Sequence, residues 1–293
     1  MVPWAKLQLT FINIIPSPLF QSTYCATMLD HAESENKPLK VINLDPAAEY
    51  FNYEPAGDIR ELIHVEDAME DENLQFGPNG GLVFCMEYLM ENSDWLKEVI
   101  GEELDEDYII LDCPGQIELY THMNVIKKLV DLLHGLDFRV CGVYLMDVQF
   151  MVDGAKFLSG TMSALTTMVN MEIPHVNVLT KMDLLSKSAR KQIDRYLDPD
   201  PHVLLSDLDA AASSWNAQYR RLTESFGRII EDFSLVRYYP LNIKSEESVG
   251  DLWLTINNII QYGEDADVKA KDVDYPDPDE QEDYLCDRDE SFS

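Results

Sequence analysis

Apolar residues fall along this chain in short dense blocks, separated by longer stretches in which they recur every three or four positions. The blocks at 6–15, 39–44, 108–111, 138–146, 176–179 and 236–239 carry many β-branched and aromatic residues and are too short for helices, so they predict strands. The helical period predicts helices over 23–35, 58–69, 81–100, 117–136, 156–171, 184–196, 214–233 and 246–262. Strands alternating with helices in this way predict an α/β fold, a parallel sheet covered by helices. No internal repeat is visible.

Tyr108-Ile109-Ile110-Leu111 shows no polar alternation and breaks abruptly into Asp112-Cys113-Pro114-Gly115-Gln116, the pattern of a buried parallel strand opening into a loop. Other strands end in similar polar clusters: Asp45-Pro46-Ala47-Ala48, Thr180-Lys181-Met182-Asp183 and Pro240-Leu241-Asn242. In a parallel sheet these ends share one rim, where open α/β sheets bind ligands. Asp45 and Asp112 there can divide cation coordination and water positioning between them, and Gly115 leaves room for a phosphate near its backbone N–H. Asp183 can accept hydrogen bonds from two adjacent donors on a guanine edge, while the methylene stem of Lys181 lies along the base. Blander roles stay open: Asp45 suits a turn, Lys181 and Asp183 suit a helix start, and Gln116, able to orient water, is also ordinary in a first helical turn. Gly77-Pro78-Asn79-Gly80-Gly81 is by composition a sharp turn whose backbone can approach a phosphate closely.

Length and charge narrow the function. The 293 residues hold 46% hydrophobic content, enough for one large domain, placed at 1–263. Fifty-four acids against 22 Lys and Arg give a net charge of −32, which argues against direct nucleic-acid binding and favours basic or protein partners. Residues 264–293, with Pro276 and Pro278 among many acids, predict an acidic disordered tail. Cys25, Cys85, Cys113, Cys141 and Cys286 form no Cys-x-x-Cys pair, which points to a reducing compartment and away from zinc. The apolar run 7–20 is cut by Pro16 and Pro18, lacks a small-x-small cleavage site and is too short to span a bilayer, so neither secretion nor membrane insertion is expected.

Gly77-Pro78-Asn79, together with Asn43-Leu44-Asp45-Pro46-Ala47, Asp112-Cys113-Pro114-Gly115-Gln116 and Thr180-Lys181-Met182-Asp183, resembles the GPN-loop GTPases. Phe76 to Gly81, Arg139-Val140-Cys141-Gly142-Val143 and Asp198-Pro199-Asp200 are most similar to the third eukaryotic paralogue group. The resemblance runs from about Ser22 to Glu264. It implies a P-loop NTPase-like three-layer sandwich with a mostly parallel sheet and helical insertions, binding GTP and Mg2+ as a homodimer or as a heterodimer with a sister GPN-loop GTPase. It implies catalytic roles for Asn79, reaching across to the partner's phosphates, and for Asp45 and Gln116. Ser22, Asp45 and Asp112 would hold magnesium, while Thr23, Gly115 and Thr180, Lys181, Met182 and Asp183 would complete the nucleotide site. It further implies assembly and nuclear import of RNA polymerase II, with polymerase subunits as partners and a cytoplasmic location with shuttling to the nucleus.

The amino terminus departs from that pattern. A phosphate loop reads Gly-x-x-x-x-Gly-Lys-Ser/Thr, its glycines freeing backbone N–H groups to face the phosphates. Counting back from Ser22 and Thr23, Ile15 and Phe20 stand at the glycine positions and Gln21 at the lysine. The lost lysine alone removes a charge-assisted contact of about 1.5 to 3 kcal/mol. That leaves a nucleotide-deficient partner subunit as the alternative to a GTP hydrolase. The chain by itself is expected to bind a fluorescent GTP analogue weakly or not at all, and micromolar or tighter affinity in a direct titration contradicts this.

Overall fold

The computed structural model describes residues 8–14, 18–70, 76–101, 108–152, 154–185, 197, 225–229 and 236–260. The predicted helix at 184–196 lies outside them beyond residue 185, apart from residue 197 next to its end. The helix at 214–233 does so except for a helical piece at 225–229, and the acidic tail does so entirely.

Among the described residues seven strands form one sheet, ordered β3-β2-β4-β1-β5-β6-β7, with every pairing parallel. They are β1 (Gln8–Ile14), β2 (Leu39–Asn43), β3 (Gly57–Asp58), β4 (Tyr108–Asp112), β5 (Phe138–Asp147), β6 (His175–Thr180) and β7 (Tyr238–Pro240). The expected parallel α/β sheet is thus present. All five residues of β4 are buried, because helices cover both of its faces. Tyr108 meets Trp253 of the helix Glu246–Ile259, ring centroids 4.8 Å apart, while its neighbour Ile109 joins the cluster built from Leu129, Leu133 and Phe157. Alternate residues of one strand therefore feed two cores. The helix α1 (Pro18–Ser34) packs beside Glu246–Ile259 and over β2 and β4. The helices α3 (Pro78–Glu91), α6 (Val125–Gly135) and α7 (Gly154–Met171) pack together, with α6 and α7 against β5. No helix among the described residues is long and apolar enough to cross a membrane.

Local chemistry divides three predicted helices. The stretch 58–69 opens instead as the edge strand β3, with Asp58 extended and its carboxylate accepting the Arg60 N–H. A 3-10 turn Ile59–Glu61 follows, and helix resumes only at α2 (Val65–Glu70). The stretch 81–100 breaks at Asn92, whose side-chain amide donates to Tyr88 O at 2.9 Å and closes α3 before α4 (Ser93–Ile100) begins. The stretch 117–136 separates into α5 (Glu118–Thr121) and α6 around 122–124. The helix α1, expected from residue 23, starts at Pro18, whose fixed φ and missing N–H suit a first helical turn.

His175 opens β6 opposite Gly142 of β5, where a Cβ would stand 2.5 Å from the imidazole Cε1, so a larger residue would force the ring to shift. Burial pushes the His175 ring down to about 4 from 6.5, although the Ile173 carbonyl near Nδ1 favours the proton. Between those values the unfolded chain binds more protons than the folded one, so acid draws the equilibrium toward unfolding. This part of the stability is intact above about pH 6.5 and falls by about 3 kcal/mol as the pH approaches 4. Urea denaturation at pH 7 and pH 4 is expected to show a smaller acid loss for His175→Asn than for the parent chain; equal losses refute this.

Candidate functional site

β2 and β4 lie side by side with Asn43 opposite Asp112, and the next residue, Leu44, donates its N–H to Asp112 O at 2.8 Å. This carries Asp45 to the rim beside Asp112. The fully buried Asn43 directs the turn. Its Oδ1 accepts the Asp45 N–H at 3.0 Å, while its Nδ2 donates to Asp45 O at 3.1 Å and to Asp58 Oδ1 at 2.9 Å. Burial raises the Asp45 carboxyl above its usual range; the Ala47 N–H and the Arg60 charge offset this only in part. An acid in that condition gains from a neighbouring cation.

The segment from Ala47 to Tyr53 runs past these acids, and its residues 47–52 join Ser22, Asn43, Asp45 and Asp112 in lining a cavity of about 310 Å³. Four bonds fasten it. Tyr53 OH donates to Asp112 Oδ2 at 2.7 Å, and Asn52 N donates to Ser22 Oγ at 2.6 Å. Asn52 Nδ2 reaches Thr23 Oγ1 at 3.3 Å, and Arg60 Nη1 donates to Ala48 O at 2.8 Å. The Arg60 guanidinium also lies 4.6 Å from the Phe51 ring and grips Asp58 through Nε and Nη2. Burial alone would raise the Asp58 carboxyl, but the Arg60 and Asn43 bonds hold it below its usual range.

Further along the same rim, Thr180 is buried and donates to Met146 O at 3.1 Å. Lys181 follows in the left-handed region, at φ 61°, turning the chain into a 3-10 turn that carries the half-buried Met182. Its ammonium pairs with Asp147 at 2.6 Å, and Asp183 pairs with Lys244 at 2.7 Å. β1 and β5 stand between this cluster and the acids of β2 and β4. Ser22, Asp45 and Asp112 thus share one cavity, while Lys181 and Asp183 form a second cluster without lining it.

Gly77, Pro78 and Asn79 are exposed at the start of α3, with Gly77 as its N-cap, and none lines the cavity. Gly115 and Gln116 are half-buried in the turn after β4, which Tyr120 holds by donating to Pro114 O at 2.7 Å; they too lie off the cavity wall. Sequence reasoning missed Tyr53, Asn52, Arg60, Asp147 and Lys244. Lys244 had a signal, since a base just past the 240–242 cluster stands out in so acidic a chain. Tyr53 had none, because its partner lies 59 residues away.

Two carboxylates and a hydroxyl are hard oxygen donors, the kind that suits magnesium. Among the described residues no group of three or more His, Cys, Asp or Glu could hold a metal, so the remaining ligands would be water or phosphate oxygens. The phosphate side fits less well. β1 ends at Ile14 and α1 is helical from Pro18, so Phe20 and Gln21 continue a helix where a glycine turn and a lysine would cradle phosphates.

The family model described as "Conserved hypothetical ATP binding protein" matches residues 21–262, a stretch that leaves out residues 1–20. GPN-loop GTPase 3 of Danio rerio is 52% identical over 260 residues, covering 88% of this chain and 90% of that protein. The Xenopus tropicalis protein of the same name is 50% identical over 254 residues, covering 87% and 88%. That of Dictyostelium discoideum is 45% identical over 255 residues, covering 87% of each. Among solved structures, a Pyrococcus abyssi GTPase in its apo form aligns with a TM-score of 0.69 over 87% of this chain and 97% of its own, at 23% identity, a likeness of fold.

Arg60→Ala is expected to lower the unfolding free energy by about 1 to 2 kcal/mol in urea, since it strands Asp58 beside Asn43 and frees Ala48. Arg60→Lys should recover only part of this, having no planar fork. Full recovery by lysine contradicts the assignment.

Proposed function

Because the chain belongs to the GPN-loop GTPase family, we propose that it is a small GTPase that binds and hydrolyses GTP as a dimer. The observation that carries this reading is the single cavity bringing Ser22 from α1, Asp45 from the turn after β2 and Asp112 from β4 to one rim, with Lys181 and Asp183 on the same edge. Magnesium, when bound, would supply the positive charge that neutralises phosphate oxygens, and Ser22, Asp45 and Asp112 would hold it. Asp183 would exchange its Lys244 partner for the donor pair of guanine, and the Lys181 stem would lie along the base. Gln116 would orient water. Asn79, exposed on α3, would offer its carboxamide to a partner's phosphates. The partner is a second copy or a sister GPN-loop GTPase. The cellular role supported by the family resemblance is RNA polymerase II assembly and nuclear import, with polymerase subunits bound in the cytoplasm and carried to the nucleus.

A second reading is favoured by one observation: α1 already runs through Phe20 and Gln21, leaving no lysine and no glycine turn before Ser22. On that reading the chain is a nucleotide-deficient subunit that dimerises and lends Asn79 to an intact sister. One experiment separates the two. GTP binding and turnover are measured for the chain alone, for a version with a Gly-rich, Lys-containing loop in place of 15–21, and for the chain co-purified with a sister subunit. Turnover by the chain alone establishes the first reading. Turnover only in the heterodimer, lost on Asn79→Ala in this chain, establishes the second. Absence of GTP binding in all three refutes both.

A further inference from the structure

The segment over the cavity holds one oxygen on each of two of the three residues assigned above to a cation. Ser22 Oγ accepts the Asn52 N–H, and Asp112 Oδ2 accepts the Tyr53 phenol. Each oxygen has more than one lone pair, so a divalent cation competes through charge and space: the donor hydrogen and the dication repel and crowd each other on the same oxygen. The two contacts are adjacent in sequence, so one movement breaks both. The rest of the segment suits such a movement. Its middle is free of the core, with Tyr50 86% exposed, whereas Tyr53 is buried at 8% and packs 5.3 Å from Phe51. Arg60 tethers the near end through Ala48 O and also lies over the Phe51 ring, outside the cavity's oxygen set. Burial of the Tyr53 ring therefore supplies the closing force, and its hydroxyl supplies the address.

We propose that Glu49–Tyr53 is a latch that competes with a divalent cation: closed, its Asn52 and Tyr53 hold Ser22 and Asp112, and a cation that takes those oxygens releases it. The latch presupposes the reading of Ser22 and Asp112 as cation ligands. It adds a consequence absent from that reading, namely that cation entry exposes an aromatic segment rather than tightening the structure. Tyr53→Phe keeps the buried ring and deletes only the bond to Asp112, so it weakens the latch without emptying its seat.

Chymotrypsin reads the state of the latch on the full chain, since Tyr50, Phe51 and Tyr53 are its cleavage targets and mass spectrometry locates the nick. Magnesium chloride alone, titrated to millimolar levels, is expected to accelerate nicking at 50–53 in the parent chain. In Tyr53→Phe half-maximal acceleration is expected at about tenfold lower magnesium, the scale of one hydrogen bond to a charged group. Nicking that is unchanged or slowed by magnesium in the parent chain overturns the proposal, as does a Tyr53→Phe titration that coincides with the parent's. The nucleotide reading is decided separately by GTP binding of the restored-loop chain. A latch indifferent to magnesium and a chain indifferent to GTP are therefore distinct results.

Discussion

The register of β2 against β4 is the constraint on which the site depends. Asn43 stands opposite Asp112, and Leu44 closes the ladder on the Asp112 carbonyl. Parallel pairing sends both strands out at the same edge, so two acids 67 positions apart in sequence arrive together. A slip of one residue would reverse which side chains of β2 face each layer. Asn43 resists such a slip because both ends of its buried amide are committed, to Asp45 and to Asp58. Satisfying a buried amide is a strong demand, since stranding it costs about 1 to 3 kcal/mol. One side chain thus sets the register, the turn and the placement of Asp58.

The elements built from unbroken apolar runs were legible from sequence. β4 reads as a buried strand because every residue in it is apolar up to Asp112, and the structure buries all five. The clusters after β2, β4 and β6 were legible for the same reason, as abrupt polarity at strand ends. What escaped was decided by contacts distant in sequence or by single side chains bonding their own backbone. Asp58 continues a helical period, yet joins the sheet because Asn43 and Arg60 claim its carboxylate. Asn92 interrupts a helix through one bond to Tyr88. The segment over the cavity drew no reading from the sequence, since its fastenings to Ser22 and Asp112 span 30 and 59 residues.

Charge gives the rim its character. In a chain with 54 acids and 22 bases, cations are scarce, and three of those near the strand ends among the described residues are engaged. Arg60 holds Asp58 and the covering segment, Lys181 holds Asp147, and Lys244 holds Asp183. Each pair neutralises one carboxylate at the strand ends. The half of the rim suited to a cation and a base is therefore well furnished. The half that would cradle phosphates has Gln21 inside a helix instead of a lysine beside a loop.

Paramagnetic broadening by manganese(II) at low stoichiometry, followed by NMR on the full chain with assigned backbone amides, tests most directly whether the β2–β4 register builds one cation-accepting mouth. The amide signals of Ser22, Asp45 and Asp112 are expected to broaden together at the lowest manganese, before those of Asp183 and Lys244. Broadening that begins elsewhere on the acidic surface, or reaches Asp45 without Asp112, contradicts it.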